Sequence, residues 1–295
     1  MADQTPAAAH VTRGFHPRLA LVFDFDLTLS DGTVDALLAE LGVEDDDRWR
    51  REELKPMLDD GWDETLARAH LLARTAEGAG RALTRELVEQ VGRGLEPYPG
   101  LAERLPALRR LGHEASGGCC EVELTIVSSG FVDLMTCSPV AELFDNIWGS
   151  SLHWGDDGEL LGVKRTITHS EKARYLRALA KGLDIAGANE PADVEMHKAP
   201  EDWHVPFSQM VYVGDGASDI AAFELVERGG GVAIAINQSD SAGGWKAAEH
   251  MFDEARVENL AAPDYRDGTE LSRSLELATE IVAKRAALRK LGAGE

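Results

Sequence analysis

Residues 18–27, RLALVFDFDL, form an uninterrupted apolar run that ends in two acids. A strand without polar alternation must be covered on both faces, which is the situation of a central strand in a parallel sheet flanked by helices. Its carboxyl end, carrying Asp24 and Asp26, has to open into a polar site. Further short, β-rich runs occur at VELTIVS (122–128), NIWGS (146–150), MVYVG (210–214) and VAIAI (232–236), with helical stretches between most of them. That alternation predicts an α/β fold, a doubly wound, Rossmann-like parallel sheet sandwiched by helices.

From about Gly32 to Pro97 the pattern changes to helices alone. Apolar residues recur at three-to-four spacing, as in Leu37, Leu38 and Leu41, then Leu66, Ala69 and Leu72. This segment reads as a smaller α-helical cap inserted into the sheet domain. The turn cluster Pro97-Tyr98-Pro99-Gly100 marks the return, followed by a helix over 101–111 and a glycine-rich connection, GHEASGGCCE. The expected organisation is a flexible leader at 1–17, an α/β core from 18–31 and 98–295, and a cap at 32–97. Residues 183–208, rich in Pro, Asp and Glu, are expected to form a long irregular loop, and 269–291 a final helix.

Charge narrows the partners. With 30 basic against 52 acidic residues, the formal charge of −22 disfavours sequence-independent attraction to nucleic acid or to an anionic membrane. A small, metal-complexed metabolite fits better, and no protein partner or oligomeric state is specified. No run approaches the roughly 20 apolar residues of a membrane helix, and the start lacks a signal-peptide core. The three cysteines, Cys119, Cys120 and Cys137, make neither a disulfide framework nor a CxxC spacing, so a reducing, cytoplasmic setting is expected.

Asp24 and Asp26 stand two apart on a strand, so their carboxylates share one side while Phe23, Phe25 and Leu27 take the other. Two acids at the end of a buried strand are costly unless a cation compensates them, which points to a divalent metal. MVYVGDGASDI repeats the design, with Asp215 at a strand end and Asp219 four residues on. This is no dinucleotide fingerprint, because an acid stands where the third glycine belongs, and no calcium loop, because Ala217 occupies a ligand position. LTIVSSGF delivers Ser128, Ser129 and Gly130 to a third strand end, where a hydroxyl and free backbone N–H groups suit phosphate oxygens. In THSEKARYLRAL, Lys172 lies near the start of an amphipathic helix. Ligands of open α/β sheets bind beyond the carboxyl ends of the strands, so these groups should converge.

In that order, DFDLT, TIVSSG, the lysine of EKARYL and GDGASD resemble the four motifs of the haloacid dehalogenase superfamily. The helical segment between the first two resembles the cap of its phosphoserine-phosphatase-like members, and Asp26 resembles its phosphatases and phosphotransferases rather than its dehalogenases. The resemblance implies a Mg2+-dependent phosphatase acting on a small phosphate monoester through an aspartyl-phosphate. It implies Asp24 as nucleophile, Asp26 as acid then base, and Ser128 with Lys172 as catalytic phosphate contacts beside Ser129 and Gly130. The implied metal set is Asp24, Asp26 (through its carbonyl), Asp215 and Asp219. Lys164 and Lys181 are the nearest alternatives to Lys172. Transfer to another acceptor, as in a phosphotransferase or phosphomutase, would use the same residues, and a non-catalytic metal-bound module is a further reading. Arg48, Trp49, Arg50, Lys55, Trp62 and Arg68 are candidate substrate contacts from the cap.

Overall fold

The computed structural model describes residues 14–237 and 257–293. Its centre is a seven-stranded sheet in the order β4-β3-β2-β1-β5-β6-β7. The strands are β1 (Arg18–Phe23), β2 (Glu121–Phe131), β3 (Asn146–Trp154), β4 (Leu160–Arg165), β5 (Met210–Gly214), β6 (Val232–Ile236) and β7 (Asn259–Ala261). All neighbours pair in parallel except β3 with β4, which form an antiparallel hairpin. The five strands expected from the apolar runs are all present. No apolar run signals β4 or β7: β4 is half-exposed and interrupted by Gly162, and β7 is three residues long.

Alternation along β1 explains why the run has no polar residue. Leu19, Leu21 and Phe23 enter one core with Leu105 and Leu108 of α6 (Leu101–Ala115) and with Leu275 and Val282 of the C-terminal helix Glu270–Ala293. Ala20 and Val22 enter the other, with Tyr175, Leu176 and Leu179 of α8 (His169–Lys181) and Phe223 and Val226 of α9 (Ile220–Arg228). Both faces are therefore dry, and only the strand ends remain for polar chemistry.

Residues 32–97 hold α1 (Thr33–Glu40), α2 (Asp46–Trp49), a π-helical turn (Arg50–Leu54), α3 (Lys55–Asp59), α4 (Glu64–Gly78) and α5 (Arg85–Arg93). The chain leaves and re-enters the sheet domain side by side, since Tyr98 N–H donates to Leu29 O at 2.9 Å and Ser30 Oγ to Glu96 O at 2.8 Å. The β3–β4 hairpin reaches these helices too: Arg85 N–H donates to Gly158 O at 2.8 Å and Leu160 N–H to Leu83 O at 3.2 Å. After α6, a short helix α7 (Val132–Met135) follows β2.

Of the expected leader, residues 1–13 lie outside the described residues. Residues 14–17 run along the core, with His16 buried and its Nδ1 2.9 Å from Trp203 O. The segment 183–208 contains the single 3₁₀ turns Pro191–Glu195, Pro200–Asp202 and the start of Phe207–Gln209. Lys198 Nζ ties it to α8 by donating to Lys181 O at 2.6 Å. The last helix, α10, spans Glu270–Ala293. Among the described residues no helix is long and apolar enough to cross a membrane.

Candidate active site

Three strands end at one place. Asp24 directly follows β1 and is held there by its own N–H donating to Val213 O of β5 at 2.8 Å. Asp24 and Asp26 lie beyond the last ladder residue, Phe23, and both line one cavity of about 310 Å³; Phe23 and Phe25 turn into the core as expected, but Leu27, past the end of the strand, lines the cavity with the acids. Leu27 between them and the cap takes a left-handed φ of 58°, the turn that bends the chain off the sheet. Ser128, Ser129 and Gly130 of β2 and Asp215, Gly216 and Ser218 after β5 complete the core side of that cavity.

Lys172 organises the floor. It is fully buried, and its Nζ lies 2.8 Å from Asp24 Oδ2, 2.7 Å from Asp219 Oδ1 and 3.0 Å from Ser218 Oγ in the glycine turn. The two carboxylates outweigh the burial penalty and raise its pKa, so it stays cationic. Of the three candidate lysines, the structure brings Lys172 to Asp24. Lys181 instead donates to the Val194 and Met196 carbonyls, and Lys164 is exposed on β4.

Asp219 is saturated. Oδ1 accepts from Lys172 and from Tyr212 Oη at 2.6 Å, and Oδ2 from Gly216 N–H at 3.2 Å and Ser218 Oγ at 3.4 Å. A carboxylate offers about four lone-pair sites, so little remains for a further ligand. Asp24 accepts Phe25 N–H on Oδ1 at 2.7 Å, and Asp26 accepts Thr33 N–H at 2.7 Å and Thr33 Oγ1 at 3.0 Å. Oxygen atoms of Asp24, Asp215 and Asp219 lie within 4.8 Å of one another, whereas the Asp26 side chain turns to the first residue of α1.

One lysine faces several acids, and the protonation equilibria show the imbalance. Burial lifts Asp24 to about 6 despite Lys172. Burial and then the charges of Asp24 and Asp219 push Asp215 well above the carboxylate range, and burial raises Asp26 against the opposing hydrogen bonds from Thr33. Excess buried negative charge in an all-oxygen donor set fits a hard divalent cation. The β2 residues of the same cavity suit an anion: Ser128 Oγ is buried beside the Asp24 carboxylate, accepting Gly130 N–H at 3.2 Å, and Ser129 Oγ is buried without a hydrogen-bond partner. Glycine is required at two points, since a Cβ on Gly130 would lie 2.5 Å from Asp26 Oδ2 and one on Gly214 2.4 Å from Asp219 Cγ.

The cap closes the cavity with Asp35, Arg50, Glu64 and Arg68. Arg50 pairs with Asp35 and Arg68 with Glu64, while His169 Nε2 stands 3.8 Å from the other Glu64 oxygen. Trp62 lines an adjoining cavity of about 400 Å³ that shares Glu64, Arg68, Ser129 and His169. Of the cap candidates, Arg50, Trp62 and Arg68 thus reach the site. Trp49 is core, with Nε1 donating to Thr75 Oγ1 at 3.1 Å, and Arg48 and Lys55 make exposed pairs with Glu52 and Asp59. Thr33, Asp35, Glu64, Tyr212 and Ser218 are site residues that sequence reasoning misses. Tyr212 carries one signal, a phenol in the otherwise apolar MVYVG run.

No family model matches the chain. A protein of Borreliella burgdorferi described as uncharacterized is 24% identical over 278 residues, covering 86% of this chain and 93% of its own. Among solved structures, a phosphoserine phosphatase captured as a phospho-aspartyl intermediate analogue superposes with a TM-score of 0.54 at 21% identity, covering 88% of this chain and 98% of that one. A hydrolase of the haloacid dehalogenase (HAD) family from Salmonella enterica serovar Typhi gives a TM-score of 0.56 at 15% identity, over 90% and 72% of the two chains. A probable phosphoserine phosphatase from Vibrio cholerae gives 0.55 at 18%, over 93% and 69%. The chain therefore shares the fold of these phosphoserine phosphatases and of the HAD family hydrolase.

Proposed function

We propose that the protein is a Mg2+-dependent phosphatase that hydrolyses a small phosphate monoester through an aspartyl-phosphate on Asp24. The observation that carries this reading is the Asp24 carboxylate in contact with Lys172 at a cavity on the strand ends that Ser128, Ser129 and Asp215 also line. The shared fold with phosphoserine phosphatases supports the reaction class.

Asp24 attacks phosphorus, the bond to the leaving oxygen breaks, and Asp26 gives that oxygen its proton. Asp26 then takes a proton from the water that attacks the aspartyl-phosphate, releasing inorganic phosphate and restoring Asp24. A pKa raised by burial lets Asp26 carry the proton it must first donate. Lys172 keeps Asp24 ionised and neutralises charge beside the phosphate, while Ser128, Ser129 and the Gly130 N–H receive its oxygens.

Asp24 and Asp215, with the Asp26 carbonyl, would hold the cation, and Asp219 supports them from behind through Lys172 and Tyr212. Bound there, Mg2+ supplies the positive charge that lets one anion approach another. The cap keeps bulk water out and selects the leaving group. Three free cysteines suit a reducing, cytoplasmic setting.

The test is release of inorganic phosphate from a panel of phosphorylated metabolites with Mg2+, run on wild type and Asp24→Asn. Wild-type turnover should fall by on the order of 10⁴-fold or more in the variant, with the melting temperature kept. Equal activity in both proteins would eliminate Asp24 as nucleophile, and transfer to added alcohols without free phosphate would replace hydrolysis by phosphotransfer.

A further inference from the structure

Helix α10 is apolar on two opposite faces, and only one of them is used. Leu271, Leu275, Ala278, Val282 and Ala286 are buried against the sheet. On the outer face, Leu277 is 63% exposed, Ile281 47%, Leu288 70% and Leu291 76%. These are four of the eight large exposed hydrophobic residues among the described residues; the other four are Trp62 and Leu66 around the start of α4, Leu161 on β4 and Met196. A surface helix ordinarily carries polar residues opposite its core stripe.

The spacing is informative. Leu277, Ile281, Lys284, Leu288 and Leu291 follow one another by four, three, four and three residues, the 3.5-residue repeat of a coiled-coil seam. One lysine stands at the centre of the seam, a position where a polar side chain sets register at some cost in stability.

We propose that this ridge pairs with the same ridge of a second copy of the chain, antiparallel, about a two-fold axis at Lys284. The charge pattern of the helix selects that arrangement. From Glu270 to Glu280 it carries Glu270, Glu276 and Glu280 against Arg273, with Glu276 paired to Arg104 of α6, whereas Ile281 to Ala293 carries Lys284, Arg285, Arg289 and Lys290 with no acid. Arg285 and Arg289 donate to the neutral Gly230 O and Ser208 Oγ and so keep their charge. Parallel pairing would set the basic half against itself; antiparallel pairing sets it against the acidic half. It also places Leu277 opposite Leu291 of the other copy and Ile281 opposite Leu288, so every apolar position finds an apolar partner. The two Lys284 stems cover the middle of the seam while each ammonium reaches a Glu280, which already pairs with Lys284 within one helix. A seam this short makes a small interface, so the dimer is a weak one.

Sedimentation velocity on the full chain from about 1 to about 300 µM tests the proposal. The mass should rise from 32.0 kDa towards twice that value with concentration. Ile281→Glu with Leu288→Glu, both on the exposed ridge, should hold it at the monomer mass with an unchanged melting temperature. Glu280→Lys and Lys284→Glu should each weaken the dimer, and the two together should restore it. Under mild oxidation Lys284→Cys should cross-link to itself and Leu277→Cys should not, with wild type as the control for Cys119, Cys120 and Cys137. A wild type that stays monomeric throughout, a dimer indifferent to the glutamate pair, or self-cross-linking at 277 in place of 284 would each overturn it.

Discussion

The two walls of the candidate active-site cavity are built on different principles. On the sheet side, Lys172, Asp219 and Tyr212 are buried and hydrogen-bonded to one another, and each is delivered by a separate element: α8, the turn before α9, and β5. On the cap side, Asp35, Arg50, Glu64 and Arg68 sit about one-quarter to one-third exposed, paired two by two within the cap. A buried network holds its geometry because any displacement strands a charge in low dielectric. Half-exposed pairs lose little when they exchange partners. The sheet side is therefore suited to chemistry common to every substrate, and the cap side to recognising one.

Removing Lys172 is the hardest blow to that contrast. Lys172→Met should cut turnover by roughly 10²–10³-fold on any substrate and destabilise the metal-free protein by about 3–5 kcal/mol, because Asp24 and Asp219 are left unpaired. Lys172 lowers the pKa of Asp24, Asp26 and Asp215. Without it these groups bind protons more tightly in the folded state, so the stability deficit should shrink as pH falls. Chemical denaturation at pH 5 and pH 8 checks this, and a deficit equal at both would mean the network is not electrostatically coupled.

Metal and pH test the same wall less severely. With Asp24 raised from 3.8 to about 6, the folded metal-free protein holds a proton that the unfolded chain has lost between those values. Its contribution to stability accordingly falls as pH rises through that window. A cation needs the ionised carboxylate, so the rise in melting temperature on adding Mg2+ should be large at pH 7.5 and small at pH 5. Asp24→Asn should abolish the difference. A Mg2+ effect independent of pH would place the cation elsewhere.

The same asymmetry governs what the sequence discloses. Asp24, Ser128 and Asp215 announce themselves because each follows an apolar β run, Ser128 near the end of β2 and the two acids just past β1 and β5, and a sheet brings strand ends together whatever the details of packing. Lys172 is legible only through the resemblance, because a lone lysine on an amphipathic helix looks like a solvated charge; the structure instead buries it with Tyr175, Leu176 and Leu179 on α8. The cap gives no such signal. Helical periodicity finds Ala69 and Leu72 on the buried face of α4 but also predicts Leu66, which is exposed because the buried stripe runs through Thr65 instead. Arg68 and Arg48 look alike in sequence, and only the tertiary crossing of α4 over the strand ends separates the cavity residue from the surface one. Tyr212 is hidden by the apolar run that contains it, and Thr33 by looking like an ordinary first residue of a helix.

Arg68→Ala should keep the buried Lys172–Asp219–Tyr212 network and act mainly on recognition, with a smaller effect on both substrates through Asp26, whose pKa the Arg68 charge lowers. For the metabolite that the phosphate-release panel selects, kcat/KM should fall roughly tenfold to a hundredfold, the worth of a charge-assisted hydrogen bond. For para-nitrophenyl phosphate, which offers the cap little to recognise, it should change far less. Lys172→Met, in contrast, should affect both substrates alike. If Arg68→Ala lowered both equally, the division between the walls would fail.

Thr33 lies on the boundary, the first residue of the cap holding the carboxylate of Asp26 from the sheet side, and it sets the smallest effect. Thr33→Val keeps the backbone N–H bond at 2.7 Å and removes the hydroxyl bond at 3.0 Å. Both bonds favour the ionised carboxylate and oppose the rise caused by burial, so losing one moves the Asp26 pKa further up. In kcat/KM, which reports the step through leaving-group departure, Asp26 acts as the acid. The alkaline limb of that profile should then move to higher pH, with the maximum reduced only a few-fold. An unmoved limb with a reduced maximum would show that Thr33 merely orients the group, and the boundary between the walls would then be steric and not electrostatic.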